Sequence, residues 1–505
     1  MITFKLGDKR DPRQWPAYKK WRILLVTLML QLWANAISAM YEPGVEGVAH
    51  EFGVSETVAR LPQAVFLYGF AAGPVFAAPL SEDYGRLPVH VASVGMMGLM
   101  QIPCALAPNM AALIVSRFFA GAFAAATFNS VGMVSDMWTP DEQGWGVNAF
   151  ALFAELGATT AATWSGYLYL ALGWRWIFGV CGLGTALLLA LFVLTVPETR
   201  AGVLLERRAR RLRLRTGDAR WYSAHERVRS SRTPASWARE VLIRPLFMLF
   251  TEPIVWSFAL FDGYNYAIIY LALEAIPLVY AEHGFSIGQQ GLPFIALSLG
   301  FLLAFVAFPI QQALYRRAGR KNPTGEAPPE AHLLWGLFAS AFFPASLFWF
   351  AWTSQASVHW IVSMLALVVF ATTSHIIFLI VSEFTVKSYS LYSSSAVAAQ
   401  SFVREILSGS VTLFSTPMYR GLGYRWASTL LAFVALPLAA VPWILHLHGP
   451  RIRARSAFAG EIALAEAEAK RERIEQAATQ RLEPKAEAQS QPARSSVQHE
   501  RIPGA

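Results

Sequence analysis

From Ile23 onward the chain repeats one pattern, a block of predominantly apolar residues followed by a short polar break. Blocks of about twenty such residues, wound as helices, cross the ~30 Å hydrocarbon core of a bilayer. The pattern predicts spans at 23–42, 61–80, 89–107, 110–134, 146–168 and 174–195. After a polar stretch from Glu198 to Arg244, six more follow at 253–278, 291–314, 333–352, 359–382, 393–415 and 424–446. The expected fold is an all-α membrane protein of twelve transmembrane helices in two six-helix halves. It divides into a cytoplasmic N-terminal segment (1–22), an N-terminal half (23–197), a basic central loop (198–246), a C-terminal half (247–447) and a cytoplasmic tail (448–505). The first 22 residues are polar and basic, with no apolar core before a cleavage site, so no cleaved signal peptide is expected.

Composition narrows the class further. Of 505 residues 55% are hydrophobic and 15% charged, where a soluble domain carries about 25% charged residues. That excludes a disordered or collagen-like chain and a soluble nucleic-acid binder. The net charge of +9 reflects topology. Apart from Arg117 and Arg404 within spans and Arg60, Arg175, Arg420 and Arg425 on one side, every Lys and Arg falls on the other side. The positive-inside rule places that side, with both termini, in the cytoplasm. Cys104 and Cys181 lie in apolar blocks, so neither a disulfide framework nor a metal site is expected. No nucleophile–base set or phosphate-binding loop stands out, so neither an enzyme nor a cofactor is expected.

In the central loop Leu205, Ala209 and Leu212 recur at helical spacing among arginines. This reads as a basic helix on the anionic inner leaflet or as a solvated charged loop. The tail from Glu461 to Lys485 should be partly helical, and beyond Ala486 disordered. Two groups of six spans around a basic loop suggest homologous halves that rock about a midplane cavity.

The loop after the second span reads Pro79-Leu80-Ser81-Glu82-Asp83-Tyr84-Gly85-Arg86-Leu87-Pro88-Val89. It resembles the signature loop of the major facilitator superfamily, in the form found in fungal twelve-span drug:proton antiporters. Arg117 with Gly121, Ser135-Asp136-Met137-Trp138, Gly173-Trp174-Arg175-Trp176, Pro197-Glu198-Thr199, Glu252-Pro253 and Arg404 agree with it in order. The resemblance covers about 11–456 and implies a conformational latch. Gly85 would give a tight turn, Arg86 would pair with Asp136, and Glu82 would face the N-terminal end of the eleventh helix. Ala78 and Leu87 depart from the pattern, which implies a weaker latch than in relatives. The fifth helix usually carries two prolines. Here it reads Gly157-Ala158-Thr159-Thr160-Ala161-Ala162 and ends in Ser165-Gly166. Gly157 and Gly166 still permit close packing, but the usual cause of a bend is gone.

Ionisable groups at bilayer depth are costly and tend to be functional. The candidates are Arg117, Glu155, Asp262, Glu274, His375, Arg404 and Glu405. Glu155 could carry a proton, or bond to Arg117. Asp262 and Glu274 are twelve residues apart on one helix, roughly 18 Å, so they cannot serve one small head group. Arg404 and Glu405 point about 100° apart and should not form one simple pair. Lys387 should lie at a cytoplasmic helix end. Tyr264, Tyr266, Tyr270 and Trp33 could line a cavity with Gln31 and Asn35. The resemblance implies a plasma-membrane, monomeric, proton-coupled exporter of drugs, metabolites or organic acids. A polyamine or organic-cation exporter is the alternative, and a non-transporting nutrient sensor on the same scaffold is a second class. The expected partners are a small-molecule substrate, protons and the lipid bilayer.

Overall fold

The computed structural model describes residues 1–460 except 6, 140, 141, 232 and 322–326. The expectations for the tail beyond Glu461 lie outside the described residues. Twelve long helices carry the fold: α1 Ala17–Ala39, α2 Glu56–Tyr84, α3 Arg86–Ala105, α4 Met110–Met137, α5 Gly144–Leu172 and α6 Trp174–Thr195 in the first half. The second half comprises α7 Pro253–Glu282, α8 Gln289–Lys321, α9 Leu333–Thr353, α10 Trp360–Tyr389, α11 Ser393–Leu422 and α12 Tyr424–Arg455. Each predicted span falls on one of them.

Ten helices in the described residues are long and apolar enough to cross a membrane on composition alone; α5 and α11 are not counted with them. The reason is positional. α5 carries Asn148, Glu155 and a threonine run, and α11 carries Arg404, Glu405 and many hydroxyls. Both pack against the opposite half, α5 on α8 and α10, α11 on α2. Their polar groups therefore face protein, the only setting in which a bilayer tolerates them. α1, α7 and α10 are mostly buried, whereas α3, α6 and α12 turn large side chains such as Leu99, Leu187 and Phe433 outward.

Tight turns fix the helix pairing. A single residue, Gly85, joins α2 to α3 at φ 110°, a backbone state that side chains rarely adopt. Within the first half α2 and α4 touch backbone to backbone. A Cβ on Gly121 would sit 1.9 Å from the Phe66 carbonyl oxygen, and one on Gly69 would sit 2.1 Å from that of Phe118. α5 is one uninterrupted helix, in keeping with its lost prolines. Gly157 brings it against α1, where a Cβ would lie 2.3 Å from the Leu32 carbonyl oxygen. Gly166 meets the α7–α8 connection, where a Cβ would lie 2.9 Å from the Ile287 oxygen.

The central loop does form a helix, Ala201–Thr216. Its buried side, Val203 and Ala209, packs on the protein, while Arg207, Arg210, Arg211, Leu214 and Arg215 are exposed. Arg213 pairs with Glu226 of the helix Ala224–Ser231 at 2.7 Å, and Arg208 reaches Asp8 at 3.0 Å. The hydrogen bond from Arg213 holds the Glu226 carboxyl below the usual carboxylate range. The apolar stripe is thus taken up largely by the chain itself.

Replacing Gly121 with Leu should prevent the α2–α4 contact, because neither backbone can yield. The expected outcome is loss of the monodisperse peak in size-exclusion chromatography of the detergent-extracted protein, with Gly421→Ala, a helical position where a Cβ meets nothing within 4 Å, as the benign control.

Candidate functional site

At the inner face Arg86 donates from Nε to Asp136 Oδ2 at 3.0 Å and from Nη1 to Ser81 at 2.6 Å. Arg200 takes the other Asp136 oxygen at 3.0 Å. A residue given no role above, Glu198, organises the rest. Its carboxylate accepts from the backbone N–H groups of Arg86, Leu87, Thr199 and Arg200. A carboxylate at the start of α3 satisfies amides that the helix cannot. Gly85 is needed here twice, since a Cβ would lie 2.3 Å from Glu198 Oε2. All these residues belong to the first half or to the start of the central loop, and none lies in the second half. Glu82 stands apart. It is half-buried, its carbonyl accepts from His225 Nε2 at 3.1 Å, and its carboxylate bonds to no described residue, those at the start of α11 included.

Arg117 is fully buried, yet it has no carboxylate partner among the described residues. It donates to the backbone oxygens of Pro62 and Ile37, both at 3.3 Å, and lies over the Phe66 ring at 4.3 Å. Ile37 sits in the last turn of α1, where unpaired carbonyls give the helix end a partial negative charge. Ring faces add to this. Arg117 thus ties α4 to α1 and α2, and it does not meet Glu155.

Glu155 instead crosses to the other half. Its Oε2 lies 2.5 Å from His375 Nδ1 of α10, and His375 Nε2 lies 2.9 Å from Asn148 Oδ1 on α5. Asn148 in turn donates to the Phe305 carbonyl of α8 at 3.3 Å. With Nε2–H donating to Asn148, Nδ1 and Glu155 share one proton, on either partner. Without that proton a nitrogen lone pair would face a carboxylate.

Beside this bridge, Arg404 lies 3.6 Å from Asp262 and 3.2 Å from Glu405. The neighbouring pair does form. The Cβ vectors diverge, but the guanidinium is long enough to fold back onto the next side chain. Phe128, Tyr266 and Phe378 surround the cation, and Glu155 is within electrostatic reach of both Asp262 and Arg404. Tyr266 donates to Asn35 at 3.1 Å, and Tyr270 shares a hydrogen bond with Ser38 at 2.7 Å, so α7 meets α1 across the halves. Gln31 is buried one turn from Asn35, with both amide atoms unpartnered in the protein. Glu155 Oε1, Asp262 Oδ1, Glu405 Oε2 and Asn265 Oδ1 are likewise buried without a partner.

The remaining candidates lie elsewhere. Tyr264 donates to the Leu431 carbonyl of α12 at 2.6 Å, and Trp33 donates to Thr185 of α6 at 3.1 Å, each within its own half. Lys387 is exposed at the inner end of α10. Glu274 sits near the outer end of α7, 3.1 Å from Arg60, far from Asp262 as the helical spacing requires. Asn148, Glu198 and Arg60 were not singled out. Glu198 lies in the Pro197-Glu198-Thr199 motif, but the value of each depends on partners brought in from elsewhere in the chain.

The profile of the Major Facilitator Superfamily matches residues 24–412. An MFS-type efflux pump of Trichophyton rubrum is 33% identical over 464 residues, covering 91% of this chain and 78% of the relative. A major facilitator superfamily multidrug transporter of Aspergillus fumigatus is 33% identical over 463 residues, covering 91% and 76%. Among solved structures, the inward-open xylose transporter XylE from E. coli matches with a TM-score of 0.61 at 13% identity, covering 84% of this chain and 95% of that one. At that identity the match speaks to fold alone.

The inner-face network yields a stability contrast. Glu198→Ala leaves buried amides unsatisfied and should destabilise by about 1–3 kcal/mol. Glu82→Ala should stay within about 0.5 kcal/mol. Thermal denaturation of the detergent-purified protein checks both.

Proposed function

We propose that this chain, which belongs to the major facilitator superfamily, is a secondary transporter that exports small organic molecules by alternating access, driven by protons. It would work as a monomer in the plasma membrane with both termini in the cytoplasm. The observation that supports the proton step is the Glu155–His375 contact, which joins the two halves and is attractive only with a proton between Nδ1 and the carboxylate oxygen. Rocking of the halves about their midplane must break or remake that contact. With the proton in place, the bridge holds α5 to α10. Without it, lone pair and carboxylate repel, or Asn148 must flip and surrender its bond to α8. Proton occupancy then biases which way the halves tilt.

The same cluster favours a cargo with positive charge over an organic acid. Three carboxylates, Glu155, Asp262 and Glu405, face one arginine and one histidine, and the unpartnered atoms named above are mostly acceptors. A ligand with N–H donors satisfies them, whereas an anion leaves them unpaired. Export of drugs is in keeping with relatives that are an efflux pump and a multidrug transporter; the organic-cation reading rests on these residues. The nutrient-sensor reading predicts no flux at all, so the same assay decides it.

The test is efflux from loaded cells or proteoliposomes. A proton uncoupler should abolish concentrative export. Glu155→Gln should lower it by at least about tenfold, within the range that coupling energies span, and flatten its pH dependence, while downhill exchange of cargo persists. Uncoupler-insensitive export rejects the proton step. For cargo class, an amine should compete with the exported compound, and a carboxylic acid of equal size should not.

A further inference from the structure

The outer ends of the two halves meet in a second buried charge cluster, separate from the central one. Glu274 of α7 is 1% exposed. Its Oε2 lies 3.1 Å from Arg60 Nη1 of α2. The same oxygen accepts from Ser415 and, at 3.4 Å, from Thr416, both on α11. Arg60 Nη1 already holds Glu42, in the α1–α2 connection, at 2.9 and 3.0 Å. Glu274 Oε1 and Arg60 Nε are buried with no partner in the protein. One guanidinium thus serves two carboxylates drawn from opposite halves. Further out, Glu56 is occupied by Arg420, an exposed pair at 3.1 Å. One turn inward Tyr270 bonds Ser38. Among the described residues no other charged group bonds to Glu274.

We propose that Glu274 is an outward-facing proton site and that a proton bound there unlocks the outer gate. Arg60 and Glu42 belong to the same half and make two short contacts, so they stay together when the halves part. Glu274 then keeps only hydroxyls from its own half. Leaving an ionised carboxylate without its cation in a poorly hydrated cleft is costly, so with Glu274 ionised the outer side stays closed. Protonation removes both the attraction to Arg60 and the cost of losing it. Outward opening and proton uptake therefore favour each other. This reading rests on alternating access but not on the cargo or on the Glu155–His375 step. Glu42 matters with the opposite sign. It competes for Arg60, so its loss should tighten the gate.

The test uses the full chain in nanodiscs with spin labels at Thr57→Cys and Ser357→Cys, exposed positions on the outer ends of opposite halves. Cys104 and Cys181 are buried and remain unlabelled. Double electron–electron resonance reads the distance between pH 5 and pH 8. The wild type should shift to the longer distance as pH falls. Glu274→Gln should show the longer distance at every pH. Glu42→Gln should need a pH lower by about one unit or more to open, the scale of one neighbouring charge. A pH response in Glu274→Gln equal to wild type overturns the proposal, as does Glu42→Gln opening more readily than wild type. If Glu274→Gln fails to fold, the direction of the Glu42→Gln shift decides alone. Transport can fail while this gate response stands, so the two readings fall separately.

Discussion

A charge inside a bilayer has no water to fall back on, and this constraint orders the whole molecule. Unpaired ions there cost several kcal/mol even after relaxation. The chain therefore holds few charges in its spans, and nearly all of them face protein. The two helices too polar to stand out as spans, α5 and α11, are the ones that carry those charges to the boundary between the halves. Lipid-facing α3, α6 and α12 carry their charged residues only near their ends, as with Arg86, Arg175, Arg425 and Arg453.

Within that constraint the buried charges sort by what holds them. Within the first half and the start of the central loop the contacts do not cross to the second half. Arg86 and Arg200 share Asp136, Glu198 caps backbone amides, and Arg117 rests on helix-end carbonyls and aromatic rings. None of these needs to change as the halves move. Across the boundary the two buried charge contacts among the described residues are His375 with Glu155 and Glu274 with Arg60, and each includes a group able to bind or release a proton. Under the proposed alternating access, rigid bodies joined by proton-dependent contacts would suit a switch between two tilts. A permanent Arg–carboxylate bridge at mid-membrane would favour one state over the other at every pH.

The sequence left this division unread for a definable reason. Glu274 is visible in the sequence only as one of the ionisable groups at bilayer depth, as are Glu155 and His375. Their pairings span 220 residues and opposite halves, and no local spacing reports such a contact. Arg60 looked like a loop charge on the outer side; only the approach of α7 to α2 makes it half of a buried pair. Glu198 sat in a recognised motif whose purpose is met by the start of α3. Arg404 and Glu405 were judged by their backbone directions, which understated the reach of a guanidinium.

What the sequence determined by itself was everything that follows from local chemistry. Apolar block lengths set out twelve spans, the basic residues set an expected topology, the signature loop carried the family resemblance, and depth in the blocks marked a short list of costly ions. What only the tertiary structure decided was which ion meets which. Partner choice depends on helices brought together from distant parts of the chain, and in a medium without water that choice determines whether a charge serves as a fixed brace or as a switch.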